Sequence, residues 1–469
     1  MRHPDFLART VMPIAAPASE SGLPSVGEAA RLLSQGTSSS FQLVSRALAH
    51  ASQASGEGQR VFTQRYDERA REEARGWDLL RSAGTVRAAL AGLPVTVKDL
   101  FDVAGQVTTA GSRVLADRAP AAADAEAVAR LRRAGAVIVG KTNMTEFAFS
   151  GLGLNPHYGT PRNPFDRARG RIPGGSSSGA AVSVTDGMAV AAIGTDTGGS
   201  VRIPAALCGL VGFKPTAARI PRTGVVPLSR TLDSVGPIGR SVECCAVLDA
   251  VLAGIPAEIP APVGLQGLRV AVARTVVWDE IEPLVSAPIE RALTLLSRAG
   301  AQVTDLPLTD LKEIPAVNAN GGFSAAEAFA WHRELIERRS AEYDPRVLTR
   351  IERGRTLSAA DYLDLIDARE RIQRSFERAL GSFDLWLHPT VPCVAMEIAA
   401  LNDDNAYVAA NRLMLRNPSL VNFLDACAIS IPCHPPGSAP VGLSLVARHG
   451  EDRRLLAIAR AVAPVVAAS

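Results

Sequence analysis

Residues 171–216, RIPGGSSSGAAVSVTDGMAVAAIGTDTGGSVRIPAALCGLVGFKPT, set the reading of the whole chain. They hold two glycine-serine turns, at 174–179 and 198–200, separated by residues of good helix propensity and an apolar run at 189–193. Turn, helix, buried strand and turn in that order predict one unit of an α/β sheet, with two serines brought to the ends of neighbouring elements. Glycines beside a serine let successive backbone amides point at one oxygen, so such a turn can hold a phosphate or an oxyanion.

The flanks repeat the rhythm. The glycine-bounded run at 91–99 alternates like a strand and carries Lys98 at its end, followed by a polar loop at 108–112. A helix at 124–134 stopped by Gly135 and a buried strand at 136–140 form a helix-to-strand unit. On the N-terminal side, residues 1–24 read as a loose arm. Ser25 with Glu28 and Ser39 with Gln42 then form two capping-box patterns, and 66–81 is a charged, solvent-facing helix. After a helix at 242–252, the Pro-rich piece 255–263 is the best linker candidate. Strands at 268–273, 301–306, 385–388, 428–432 and 442–446, with helices at 287–299, 324–341, 358–380 and the C-terminus, imply one sheet shared across that linker.

Composition narrows the function classes. The chain has 469 residues, is 47% hydrophobic, and carries a net charge of +3 from 50 Lys and Arg against 47 Asp and Glu. That length buries a large core, and without a basic run nucleic acid is not an expected partner. No window is apolar and long enough for a membrane span, and 11–18 is a poor signal sequence. Six cysteines, at 208, 244, 245, 393, 427 and 433, include no Cys-x-x-Cys pair and predict reduced thiols in a cytoplasmic protein. Lysine occurs only at 98, 141, 214 and 312, so a lysine here is less readily surface filler.

Several motifs fail on context. The string 175–179 satisfies G-x-S-x-G and would make Ser177 a hydrolase nucleophile, but the preceding 167–173 is charged and broken by Gly170 and Pro173, not a strand. Residues 209–215 lack phosphate-loop spacing and end in a proline, and Gly151-x-Gly153 lacks the third glycine of a dinucleotide fingerprint. The seven histidines show no metal-ligand spacing, so no metal is implied.

At 92–99 (GLPVTVKD), 174–179 (GGSSSG) and 194–205 (GTDTGGSVRIPA) the chain resembles the amidase signature family of serine hydrolases. Residues 140–147 (GKTNMTEF), 210–216 (LVGFKPT) and 440–445 (PVGLSL) are similar to further landmarks of that family. The likeness is most specific from about residue 90 to 240. It implies a single α/β domain over 25–469, a central mixed β-sheet surrounded by α-helices, in a family whose members are often dimeric. It also implies hydrolysis of a small-molecule amide to a carboxylic acid and ammonia or an amine, with no cofactor.

Carried over residue by residue, the resemblance makes Ser200 the acylated nucleophile, Ser176 the bridging serine and Lys98 the base of a Ser-Ser-Lys triad. It makes the backbone amides of Thr197, Gly198, Gly199 and Ser200 an oxyanion hole, and it implies a cis peptide at Ser176-Ser177. The chemistry fits, because an amide is a poor electrophile and a serine hydroxyl a weak nucleophile, so a base must take the proton as attack begins. Asp196 and Arg202 flank the second turn and are expected to pair across it. The alternative is the ammonia-supplying component of a tRNA-dependent amidotransferase, which shares the triad but works in a complex. Ile203, where that component has a glutamine, and Pro215-Thr216-Ala217-Ala218, where it has Pro-Thr-Tyr-Gly, favour a stand-alone enzyme.

Overall fold

Eleven strands run through the computed structural model, which describes residues 22–467. They are β1 (Phe62–Arg65), β2 (Pro94–Lys98), β3 (Val137–Thr142), β4 (Ala191–Asp196), β5 (Val211–Lys214), β6 (Ser234–Gly239), β7 (Arg269–Val272), β8 (Gln302–Asp305), β9 (Leu385–Pro389), β10 (Cys427–Pro432) and β11 (Gly442–Ala447). All join one sheet in the order β1-β3-β2-β4-β6-β5-β10-β11-β9-β7-β8. The sheet is mixed: β2 is parallel to β3 and β4, β7 is parallel to β8 and β9, and the other pairings are antiparallel. Because β10 pairs with β5, strands from before and after the 255–263 connection share hydrogen bonds, and the protein is a single α/β domain with helices around one sheet.

Local chemistry explains the boundaries. Ser25 caps the helix Val26–Ser34 by accepting from the Glu28 amide, while Ser39 and Gln42 close a full capping box on Ser40–Ala51. Every residue of β2, β3 and β4 is buried, as a parallel layer covered on both faces requires. The small-residue helix Ser178–Thr185 packs against β4 and β2, and Gly179 lets it in: a Cβ there would lie 2.5 Å from the Val61 carbonyl oxygen. The expected arm at 1–24 lies outside the described residues except for 22–24, where Leu23 is buried.

Several elements are not anticipated by the pattern, among them three strands, the helix Pro345–Glu352 and a long helix further on. β1 is short, β5 is interrupted by Gly212, and β6 contains Gly236 and Pro237, all weak strand signals. The 21-residue helix Asp404–Leu424 carries Asn411, Asn417, Pro418 and Asn422, which hide it from propensity. That helix matters, because its Pro418 ring packs where a Cβ of Gly199 would be.

The site follows from the topology. β2 and β4 are parallel neighbours, so Lys98 at the end of one and the turn after Asp196 at the end of the other share the carboxyl edge of the sheet, where open α/β sheets hold ligands.

Candidate active site

Three of the four lysines are buried, and what each touches separates them. Lys141 pairs with Asp99 at 2.9 Å and donates to the Val107 carbonyl and Thr108 hydroxyl. Lys214 donates to the carbonyls of Pro215 and Ala426 at 2.8 and 2.9 Å. Lys98, fully buried, hydrogen-bonds among the described residues only to hydroxyls, its Nζ donating to Ser176 Oγ at 2.7 Å and Thr195 Oγ1 at 3.0 Å. Burial pushes its pKa down from 10.5 to about 7, against the opposing pull of the Asp233 and Asp196 carboxylates. Asp99, adjacent in sequence, turns to Lys141 and the Thr109 hydroxyl, as strand alternation dictates.

The two glycine-serine turns meet beside this lysine. The Ser177 amide donates to the Ser200 carbonyl at 3.2 Å, the Thr145 amide to the Ser176 carbonyl at 3.1 Å, and the Gly175 amide to the Gly151 carbonyl at 2.8 Å. Ser176 is fully buried and Ser200 nearly so, and the Ser200 hydroxyl makes no hydrogen bond to a described residue. Ser177 is turned inward, its hydroxyl donating to the Thr195 carbonyl at 3.4 Å. The cis peptide is Gly175-Ser176, one bond before the expected Ser176-Ser177. Its preceding residue is the glycine, whose missing Cβ leaves room for Gly153, 2.5 Å from where that atom would sit.

Of the four amides expected to form an oxyanion hole, one is already taken. The Gly199 N–H donates to Asp196 Oδ1 at 2.8 Å, because the residue before the turn reaches across it as an Asx-type cap. Thr197, Gly198 and Ser200 keep amides with no partner among the described residues. Gly199 itself has φ +120°, and a Cβ there would meet Pro418 and Ile203 at 2.5 and 2.7 Å, so no other residue fits.

Asp196 and Arg202 form a buried ion pair, Nη2 to Oδ1 2.9 Å and Nε to Oδ2 3.0 Å. Asp196 also accepts from the amides of Val201 and Arg202 and from Asn422, while Arg202 reaches the Pro418 carbonyl and Asn422. Burial pushes the Asp196 pKa up, but Arg202, Lys214 and Asn422 together hold it below the usual carboxylate range. Removing the cation strands a buried charge, so Arg202→Met is expected to destabilise by about 3–5 kcal/mol, read as a lower urea midpoint. A change under about 1 kcal/mol would show that Asp196 is held by its other donors alone.

The pattern misses three contributors. Thr195, on β4, is visible only once the register places it beside Lys98. Asp233 accepts from the Thr197 hydroxyl at 2.5 Å and from the Leu228 and Ser229 amides, and burial pushes its pKa up to about 6. Asn422 arrives from a helix 220 residues after Arg202, beyond any local signal. Among the described residues no group of three or more His, Cys, Asp or Glu is placed to hold a metal, and no helix is long and apolar enough to cross a membrane.

A hydroxyl beside a buried lysine whose pKa burial lowers, under a turn of unpaired amides, is an arrangement that suits an amidohydrolase. The amidase family profile matches residues 43–456, and the chain belongs to that family of amidohydrolases. It is 40% identical over 403 residues to the 2-amino-5-chloromuconic acid deaminase of Comamonas testosteroni, covering 85% of this chain and 87% of that one. It is also 36% identical to a glutamyl-tRNA(Gln) amidotransferase subunit of Moorella thermoacetica, covering 86% of this chain and 88% of that one. The crystal structure of an amidase superimposes with TM-score 0.84 at 33% identity, over 93% of this chain and 98% of that one.

Proposed function

We propose that the protein hydrolyses a carbon–nitrogen amide bond of a small molecule to a carboxylic acid and ammonia or an amine through an acyl-enzyme on Ser200. The observation that carries this reading is that the buried Lys98 hydrogen-bonds to hydroxyls and to no carboxylate among the described residues, which lets the amine lose its proton and accept another. In the neutral form the 2.7 Å contact runs from the Ser176 hydroxyl to Nζ. As Ser200 Oγ attacks the carbonyl carbon, its proton passes to Ser176 and that of Ser176 to Lys98. The tetrahedral oxyanion rests on the amides of Thr197, Gly198 and Ser200, where losing one donor costs about 100- to 1000-fold in rate. Collapse breaks the C–N bond, and the proton returns through Ser176 to the leaving nitrogen. Water, deprotonated by the same relay, then cleaves the Ser200 ester and releases the acid.

The relatives differ in where the nitrogen goes: one is named a deaminase, and the other belongs to an amidotransferase. The second reading, a glutaminase component that passes ammonia to a partner, is disfavoured by Ile203 and by Ala217-Ala218. Ile203 is fully buried against the Gly151, Gly174 and Gly199 positions, an apolar anchor between both turns. The purified chain alone is expected to release ammonia from at least one member of a panel of aliphatic, aryl and ureido amides. Inactivity across the panel, with activity restored by a partner protein and glutamine, would move the assignment to the amidotransferase.

A further inference from the structure

The turn 197–200 has few side chains with which to hold itself. Two of its residues are glycines, and the Ser200 hydroxyl is the group the proposed reaction acylates. That leaves the Thr197 side chain to anchor the turn, and its hydroxyl donates to Asp233 Oδ1 at 2.5 Å. The contact follows from the sheet: β4 and β6 are antiparallel with Asp196 opposite Ser234, so one residue further along Thr197 lies opposite Asp233. Asp233 is almost fully buried and accepts from the Leu228 amide at 3.0 Å and the Ser229 amide at 3.1 Å, while its own amide donates to the Ser229 carbonyl at 2.9 Å. Residues 228–233 therefore wrap the carboxylate that holds Thr197.

That wrapped turn is fastened from outside by a second carboxylate. Glu327, half-buried on the helix Gly322–Arg339, accepts from the Ser229 hydroxyl at 2.6 Å, from the Thr231 amide at 3.0 Å and from the Thr231 hydroxyl. A fourth donor is the Tyr362 hydroxyl, at 2.6 Å, from the helix Ala359–Leu380. The Tyr362 ring stacks edge-on against Phe323, one helical turn before Glu327. No cation is among these donors: Arg369, near enough for Glu327 to favour its charge, gives its Nε to the Phe423 carbonyl at 2.7 Å. Ser229 carries both ends of the link, because its hydroxyl gives to Glu327 and receives the Leu232 amide, while its own amide gives to Asp233. Arg222 closes the same turn on its main chain, donating to the Arg230 and Asp233 carbonyls at 2.6 and 3.1 Å.

We propose that Glu327 is a positioning residue of the reaction, acting through Ser229, Asp233 and the Thr197 hydroxyl to fix the direction of the Thr197 amide. The proposal rests on the hydrolase reading and adds to it a residue that touches neither the triad nor the turn itself. An oxyanion donor works by being in place before charge develops, and an error of about 1 Å in such a group can cost about 100-fold in rate.

The test is a double-mutant cycle on ammonia release from an amide that wild type turns over. Thr197→Val keeps the shape and the amide but loses the hydroxyl, and it is expected to lower kcat about 10- to 100-fold with KM within about twofold of wild type. Thr197→Ser is expected to restore most of the loss. Glu327→Gln turns an NH2 group toward donors, and it is expected to lower kcat about 10-fold, again with KM within about twofold. In Thr197→Val/Glu327→Gln the losses are expected not to multiply, leaving kcat within about threefold of Thr197→Val alone. A Glu327→Gln enzyme with wild-type kcat overturns the proposal. So does a double variant in which the losses multiply, since Glu327 would then act by another route. If wild type turns over no amide, the hydrolase reading fails separately, and hydrogen exchange of the peptide spanning 196–201 decides. Exchange there about tenfold faster in Glu327→Gln, with the thermal midpoint near that of wild type, supports the link, and exchange at the wild-type rate overturns it.

Discussion

Ser200→Ala is expected to lower kcat by on the order of 10⁴- to 10⁶-fold, leaving only what binding and the free amides of the turn supply. The effect is large because, in the proposed mechanism, this hydroxyl is the atom that forms and breaks the covalent bond, so nothing else in the site would substitute for it. The fold is expected to tolerate the change: the Ser200 hydroxyl has no hydrogen-bond partner among the described residues, and removing it orphans no buried group. A fluorophosphonate probe should therefore label wild type on the peptide containing Ser200 and leave Ser200→Ala unlabelled while its urea midpoint stays near wild type. The competing nucleophile is Ser177, which the G-x-S-x-G string nominates. Its hydroxyl is fully buried and turned to the Thr195 carbonyl, and a Cβ at Gly194 would lie 2.6 Å from it, so a substrate carbonyl has no approach. Label recovered on Ser177 would nonetheless overturn the assignment of Ser200.

What the sequence made legible divides along physical lines. Long periodic helices and apolar strands were readable, because their pattern is local: the capping box at Ser39 and Gln42 and the apolar β4 are examples. The strands β5 and β6 were not, because glycine and proline within them are tolerated only by what packs around them. The candidate site divides in the same way. Lys98, Ser176 and Ser200 stand in short runs whose glycines announce a turn, and the expected Asp196–Arg202 pair is six residues apart in one turn. Asn422, Thr195 and Asp233 reach the site through tertiary contact, and the fate of the Gly199 amide depends on which way the Asp196 side chain folds back.

Lys98→Ala is expected to reduce kcat by about 10³-fold or more, because general-base help alone accounts for about 10²- to 10⁴-fold and the proposed relay makes Lys98, Ser176 and Ser200 act as a unit. Lys98→Arg is expected to be as poor, since a guanidinium stays protonated and cannot accept the proton from Ser176. The pH dependence carries the sharper test. Only the neutral amine has a lone pair, so kcat/KM must rise with pH through the folded-state titration, which burial brings down from 10.5 to about 7. Two carboxylates oppose that fall by favouring the ammonium. Asp196, pinned by Arg202, stays ionised through the whole range. Asp233, which burial raises to about 6, titrates just below the lysine, so the limb belongs to the pair and not to either group alone. Asp233→Asn removes one of the two charges that hold the proton on Lys98, and it is expected to move the limb to lower pH. A Lys98→Ala enzyme that keeps near-normal turnover and the wild-type limb would remove Lys98 from the proton path. A limb that stays in place in Asp233→Asn would show instead that burial by itself sets the lysine, with Asp233 serving only to hold the Thr197 hydroxyl.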